Sequence, residues 1–384
     1  MDLQKLVART RDFIRTEVLP VDDEFDGDIE AAGGDVLRAR LQGLARERGL
    51  LTPHGPTDLG GLGLTMTQRA PVFEEAGYSL FGPTALNVNA PDEGNIHLLD
   101  QVGTPAQRER YLRPLVAGAW RSAFAMTEPA PGAGSDPEAL ETTATKVSGG
   151  WAINGRKRFI TGADGTGFFI VMAKTPGGAT MFLAPASAEG IRVDRHVGTM
   201  DRSMIGGHCE LTFTDLIVPD EDVLGEPDQG FRYAQVRLGP ARMTHVMRWT
   251  GAAQRAHESA VRYATERRMF GSRLADLGMA QQMIADNEID LAATRALLRE
   301  ACAALDAGER AAKETSIAKT FAAEALCRVA DRAVQLCGGL GVSSDLPVAK
   351  IARELRPFRV YDGPSEVHRW SIAKRAARQY GAPQ

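Results

Sequence analysis

The stretch WAINGRKRFITGA, residues 151–163, is where the chain stops reading as helix. Trp, Ile, Phe and Thr suit a pleated, half-buried surface. The Asn154-Gly155 pair at its middle suits a tight hairpin turn, because both positions tolerate positive φ. Working outward, the runs FFIVMAK, TMFLAPA, GIRVDRHV and CELTFTDLIVP follow, separated by turn residues and without a helical pattern between them. Four or more such strands predict an antiparallel sheet or small barrel over residues 123–230.

Both flanks have helical periodicity. In residues 1–122, Leu3, Leu6, Val7, Phe13, Ile14 and Val18 mark one face of a helix that Pro20 is expected to end. PVFEEAGYSL and TPAQRERYLRPLVAG also read as helical, the second with Thr104 as N-cap and Pro105 in the first turn. In residues 231–384 three long segments, beginning at Gly239, Met279 and Ser316, carry apolar or Ala positions at three-and-four spacing. Long antiparallel helices of this kind form a bundle. The expected class is α+β: an N-terminal α-helical domain (1–122), a middle β domain (123–230) and a C-terminal α-helical bundle (231–384).

Composition narrows the function. The 384 residues are 43% hydrophobic and 24% charged with a formal net charge of -4, so the basic stripe of a nucleic-acid surface is missing. The basic stretch HRWSIAKRAARQY has its charges at helical spacing and reads as a solvated face. The N-terminal residues alternate acids and bases, and the longest apolar run, GFFIVMA, is far too short to cross a bilayer. A cytoplasmic protein without membrane insertion is expected. Cys209, Cys302, Cys327 and Cys337 form no C-x-x-C pair and fit reduced thiols. The seven histidines show no metal-ligand spacing, and His208 reads as the start of a strand. No P-loop, no G-x-G-x-x-G after a strand and no G-x-S-x-G elbow is present.

Three segments remain. FAMTEPAPGAGSD (124–136) ends in small residues whose N–H groups could form an anion nest. In RFITGA (158–163), Phe159 could cover a flat ring while Thr161 hydrogen-bonds its edge. In YDGPSEVH (361–368), Asp362 is either a turn former or a proton acceptor. Taken singly, each is as well explained by an ordinary loop.

Together with FTDLIVPDEDVLGEPDQGF, ERRMFG and AVQLCGGLGV, these segments resemble the acyl-CoA dehydrogenase family in order and spacing, over nearly the whole chain. The D-G-P-x-E-V-H wording looks closest to a branch handling long or substituted acyl chains. The resemblance implies an N-terminal helical domain, a β domain and a C-terminal four-helix bundle, with one FAD per subunit between the last two, in a homotetramer built as a dimer of dimers. It implies that Phe124, Met126, Thr127, Phe159 and Thr161 meet the flavin of their own subunit, with Ser135 near both cofactor and acyl-CoA. Arg267, Phe270, Gln335, Gly338 and Gly339 would hold the FAD of a neighbouring subunit. Arg242 and Gly363 would bind the thioester ligand, and Ser365 and Glu366 would lie against the cofactor. The Glu366 or Asp362 amide would polarise the thioester carbonyl.

The implied reaction removes an α-proton from the thioester while hydride leaves the β-carbon for flavin N5, and an electron-transfer flavoprotein then takes the electrons. Family members usually place a Glu where this chain has Asp362. The lost methylene shortens the reach by roughly 1.5 Å, and Pro364 could compensate by stiffening the turn. Burial against flavin and acyl chain would raise the base towards neutrality. A base one residue before Arg242, used by other members, is closed here because that residue is Ala241. Glu366 is the alternative carboxylate. Further departures are Pro364 and Met269 for frequent Thr, Gly278 for a Gln, Gly239 for an acid, and the longer loop at Ala130-Pro131. An Asp base also resembles nitroalkane oxidases, so a flavin oxidase, nitroalkane oxidase-like or acyl-CoA oxidase-like, is the competing reading.

Overall fold

The computed structural model describes residues 2–381. The chain forms two compact units, one gathering residues 2–32, 65–83 and 242–381, the other residues 33–64 and 84–241. The principal helices, in chain order, are α1 (Leu3–Phe13), α2 (Gly34–Glu47), α3 (Met66–Gly77), α4 (Asp92–Val102), α5 (Gly230–Glu266), α6 (Gly278–Asp306), α7 (Ala312–Cys337), α8 (Val348–Leu355) and α9 (Ser365–Tyr380). Helix, sheet and helix follow one another along the chain as the sequence reading has it.

The sheet lies in the second unit. Its strands are β1 (Ser122–Ala125), β2 (Thr143–Val147), β3 (Gly150–Thr161), β4 (Phe168–Thr175), β5 (Gly178–Pro185), β6 (Ile191–His196), β7 (His208–Pro219) and β8 (Val223–Leu224). The order is β6-β7-β3-β2-β4-β5-β8, with β1 beside β4. Most pairings are antiparallel, but β1 and β2 run parallel to β4. β4 shows why FFIVMA is an unbroken apolar run. Phe168, Ile170 and Met172 enter one cluster with Leu99, Tyr111 and Leu115, while Phe169, Val171 and Ala173 enter another with Ile160, Leu211 and Phe213. A strand covered on both faces has no position for a polar residue.

Three local expectations change. Asn154-Gly155 is not a hairpin turn: β3 runs straight through it, with a register shift against β7 between Ile153 and Gly155. Asn154 instead donates from Nδ2 to Asp215 Oδ1 (3.0 Å) and accepts from the Asp215 N–H (2.8 Å), across the bulge. Glycine is required at 155, since a Cβ there would lie 2.5 Å from Thr142 Oγ1. Pro20 does not end the first helix. A wide π turn over Ile14–Val18 leads into a further helical segment, Leu19–Glu24, with Pro20 in its first turn. There, a missing N–H costs nothing. Finally, α5 begins at Gly230 and continues through Gly239-Pro240. Its first turns are held by packing, with Ala234 buried in the cluster that β4 shares with α4 and Phe231, Val236 and Leu238 against it.

In the first unit, α3 and α5 approach closely enough to exclude side chains. A Cβ on Gly77 would lie 1.9 Å from Arg248 O, and one on Gly251 would lie 2.0 Å from Glu74 O. Beside this crossing, buried Asp22 accepts from Ser79 Oγ, Leu80 N and Arg255 Nη1, each at 2.9 Å, and from Lys350 Nζ at 3.0 Å. That network fastens the Leu19–Glu24 segment to α5, whose Arg242 bonds Asp362 O, and to α8, which precedes residue 362 in the chain.

Candidate active site

The two ends of the sheet segment that carry Met126-Thr127 and Phe159-Thr161 are brought together. Lys157 Nζ donates to Met126 O (3.1 Å), and the Arg158 N–H donates to Thr127 O (2.9 Å). Beneath them is a buried ion pair. Glu128 accepts from Lys157 Nζ at 2.9 Å and from the N–H groups of Ala133 (3.1 Å), Glu141 (2.7 Å) and Thr142 (2.9 Å). Burial alone would raise the Glu128 carboxyl, but the Lys157 charge and these donors outweigh it and hold it at about 2. The same bonds order the loop that follows β1, and they commit the Ala133 N–H to Glu128 instead of to an external anion. Ser135, further along this loop, is exposed.

Phe159 sits on a second bulge of β3, between Lys157 and Ile160, with φ +56 and a half-exposed ring (48%). Bulges re-aim side chains, and an aromatic residue at positive φ persists only where its surroundings impose it. Phe124 and Met126 are half-buried nearby on β1 and just after it. Thr161 ends β3 in a chain of hydrogen bonds. His208 Nε2 lies 2.7 Å from Asp201 Oδ2, and His208 Nδ1 lies 2.9 Å from Thr161 Oγ1. In the neutral ring, Asp201 accepts from Nε2–H and Nδ1 accepts from the Thr161 hydroxyl, whose lone pairs then face a ligand. Burial would raise Asp201, but the His208 bond prevails and its carboxyl lies below the usual range. His208 does begin β7, yet the strand-start reading missed this role. Nothing in sequence brings Asp201, Thr161 and His208 together.

In the first unit, Asp362 and Gly363 form a left-handed turn with φ +52 and φ +93. Three helices clamp its carbonyls. Asp362 O accepts from Arg242 Nε on α5 (3.0 Å) and from His368 Nε2 on α9 (3.1 Å), and Gly363 O accepts from Lys319 Nζ on α7 (2.7 Å). Burial lowers Lys319 to about 8, against the pull of Asp362. Burial, helped by the Arg242 and Lys319 charges, lowers His368 to about 4, so it is neutral. Burial also lowers Arg242, against the Asp362 charge. The Asp362 side chain is 20% exposed, and its Oδ2 lies 3.3 Å from His245 Nε2. Arg248 Nη2 lies 2.9 Å from the other ring nitrogen, Nδ1. The His245 ring packs 4.8 Å from Tyr361 and 6.0 Å from Phe358, and Trp249 Nε1 donates to Tyr361 Oη. Ser365 is buried and Glu366 exposed at the start of α9. Sequence reading passed over His245 and Arg248, although Arg242, His245 and Arg248 recur every three residues along α5 and so share one face of it.

The remaining candidates sit at exposed positions of the first unit. Arg267 follows α5, Phe270 is 93% exposed at φ +51, Gln335 is on the last turn of α7, and Gly338 (φ +58) and Gly339 follow that helix. Tyr263, Leu274, Leu336 and Cys337 share one apolar cluster, which anchors both segments. Among the described residues no helix is long and apolar enough to cross a membrane. All four cysteines are free thiols.

Residues 2–119, 123–216 and 228–377 match the N-terminal, middle and C-terminal domains of acyl-CoA dehydrogenases. The chain belongs to the acyl-CoA dehydrogenase family, whose members are FAD-dependent flavoproteins, and it is an oxidoreductase of that class. It is 38% identical to a probable acyl-CoA dehydrogenase, FadE2, of Mycobacterium tuberculosis, over 97% of this chain and 95% of that one. It is 37% identical to the (R)-benzylsuccinyl-CoA dehydrogenase of Thauera aromatica, over 88% and 84%. The solved structure of a putative acyl-CoA dehydrogenase from Mycobacterium abscessus superposes with a TM-score of 0.91 at 36% identity, covering 99% of this chain and 98% of that one. The chain spans half the length of acyl-CoA dehydrogenase family member 11 of Mus musculus, at 32% identity.

The residues present suit a flavin. An aromatic ring held half-exposed by a bulge offers a face for a flat heterocycle, and the Thr161 hydroxyl, oriented by His208, offers a hydrogen-bonding group at its edge.

Proposed function

We propose that the chain dehydrogenates an acyl-CoA, or a related acyl thioester, to the trans-2-enoyl thioester, with Asp362 as the base. The observation that carries this reading is the carboxylate of Asp362, partly exposed on a turn whose backbone is fixed from three helices. Glu366, the other carboxylate of the segment, is exposed on a helix surface. A base must meet its proton within about 3–3.5 Å, so a rigid turn matters more for a short Asp than for a Glu. FAD, when bound, supplies the acceptor for the β-hydride. Phe124, Met126, Thr127, Phe159 and Thr161 bind and orient it. Arg267, Phe270, Gln335, Gly338 and Gly339 serve the cofactor of a neighbouring subunit in a homotetramer. Ser135, Arg242 and Gly363 bind the thioester, Ser365 and Glu366 lie against the cofactor, and an electron-transfer flavoprotein accepts the electrons in a cytoplasmic setting. The division at 1–122, 123–230 and 231–384 separates these tasks.

Anaerobic titration of the purified protein with butyryl-, octanoyl- and palmitoyl-CoA tests the reading. Flavin bleaching is expected in the native protein. Asp362→Asn should keep FAD bound and lose reduction by about a thousandfold or more; undiminished reduction in that variant removes Asp362 from the mechanism. The short Asp base also favours a second reading, a flavin oxidase. Rapid reoxidation by oxygen with peroxide release would select it.

A further inference from the structure

We infer that His245 is a positioning residue for Asp362, presenting an N–H that holds the carboxylate in the orientation from which it takes a proton. The inference rests on the assignment of Asp362 as base. It starts from a stripe on α5, where Arg242, His245 and Arg248 lie three residues apart and Trp249 follows. All four side chains engage the 361–362 segment or the ring that holds it: Arg242 on Asp362 O, His245 on Asp362 Oδ2, Arg248 on His245 and Trp249 on Tyr361.

The protonation of His245 follows from its partners. A guanidinium has donors and no lone pair, so with Arg248 Nη2 at 2.9 Å the Nδ1 nitrogen must accept. A neutral imidazole then carries its proton on Nε2, which faces Asp362 Oδ2 at 3.3 Å. His245 in this tautomer cannot itself be the base; it can only donate. Its ring packs at a tilt against Tyr361 and Phe358, and its side chain is 10% exposed, so the donor has little freedom to turn away.

The device answers the problem of the missing methylene. Arg242 and His245 from α5, Lys319 from α7 and His368 from α9 reach residues 362–363, and behind them Arg248 meets His245, Ser316 meets His368, Glu366 acts on Lys319, and Phe358 and Tyr361 pack together. Arg242, Lys319 and His368 all reach the backbone carbonyls. His245 bonds the carboxylate itself. The tether on Oδ2 opposes a swing of the carboxylate towards the neighbouring cations.

The experiment uses the FAD-loaded protein with octanoyl-CoA, comparing His245→Phe, His245→Gln, Arg248→Leu and Asp362→Asn. Three quantities are read: deuterium exchange at the thioester α-carbon by mass spectrometry, the dissociation constant of octanoyl-CoA, and the pH profile of anaerobic flavin reduction. His245→Phe should slow exchange and limiting reduction about 10–100-fold, leave the dissociation constant within about threefold, and move the acidic limb up by about one unit. His245→Gln, which restores a donor near the Nε2 position, should recover most of the rate. Arg248→Leu, which frees the tautomer, should give an intermediate loss, and it stands in if His245→Phe does not fold. Native exchange and an unmoved limb in both His245→Phe and Arg248→Leu overturn the role of His245, as does a loss confined to binding. If Asp362→Asn still exchanges the α-hydrogen at the native rate, the base assignment fails instead.

Discussion

A carboxylate at φ +52 followed by a glycine at φ +93 is held only partly by the turn preference of Asp-Gly. For an L-residue other than Gly the left-handed region costs roughly 1–2 kcal/mol, so the donors on Asp362 O and Gly363 O must sustain it. Lys319 is the most telling of these because its ammonium is fully buried. Its folded value of about 8 lies below the ordinary 10.5. Between those two pH values the unfolded chain binds more protons, so stability attributable to Lys319 should rise with pH from about 8 towards 10. Lys319→Met should flatten that rise, measured by urea unfolding at pH 7.5, 8.5 and 9.5. The same variant should lower α-proton exchange, since Gly363 O loses its donor. At this scale the sequence showed where to look, because YDGPSEVH stands out by its family wording. His245 and Arg248 stayed hidden, because a bond between residues 117 positions apart in sequence (362 minus 245) leaves no local pattern.

Elements place these residues by two devices, bulges in β3 and a buried pair beneath β1. The Glu128–Lys157 pair makes an acid-sensitive hinge of the loop after β1. Glu128 is held at about 2 against an ordinary 4.5, so it contributes stability above about 4.5 that is lost as pH falls through that window, up to about 3 kcal/mol. Glu128→Gln should therefore melt lower than the native protein at pH 6 and approach it at pH 3. Lys157→Met, leaving a buried carboxylate unpaired, should cost about 3–5 kcal/mol. At Thr161, His208→Leu should weaken FAD binding by about tenfold, read by fluorescence of released flavin, because the hydroxyl loses the partner that orients it. Strands were legible where both faces are apolar, as in β4. The Asn154-Gly155 reading went wrong because a bulge and a turn ask for the same residues, and only the pairing with β7 distinguishes them. β1 was not foreseen because it is short and its partner β4 is distant in sequence, and β2 because, although it forms a hairpin with β3, only Ala144 of it is buried.

At the scale of the molecule, the α3–α5 crossing is the least forgiving feature of the first unit. Gly77→Ala and Gly251→Ala each drive a methyl into backbone, and each should lower soluble yield sharply or drop the melting temperature by several degrees. The order helix, sheet, helix was legible because the hydrophobic period changes from about 3.6 to 2 and back along the chain. The exposed aromatic Phe270 points to a different kind of dependence. Phe270→Ala should leave the melting of the FAD-free protein unchanged while reducing FAD retained on gel filtration by about tenfold, if a neighbouring subunit's cofactor is its partner. Light scattering on the same fractions should give four times the 41.3 kDa chain mass.

Phe159, Phe270 and Asp362 share one property: each is a non-glycine residue in a backbone region that glycine or asparagine fills with less strain. Directed evolution for heat resistance alone would therefore be drawn to these three positions. A library sorted only by survival after heating should accumulate Asp362→Gly and Asp362→Asn, proteins that outlast their parent and no longer turn over. Any thermostability campaign on this scaffold has to screen for flavin bleaching in the same round.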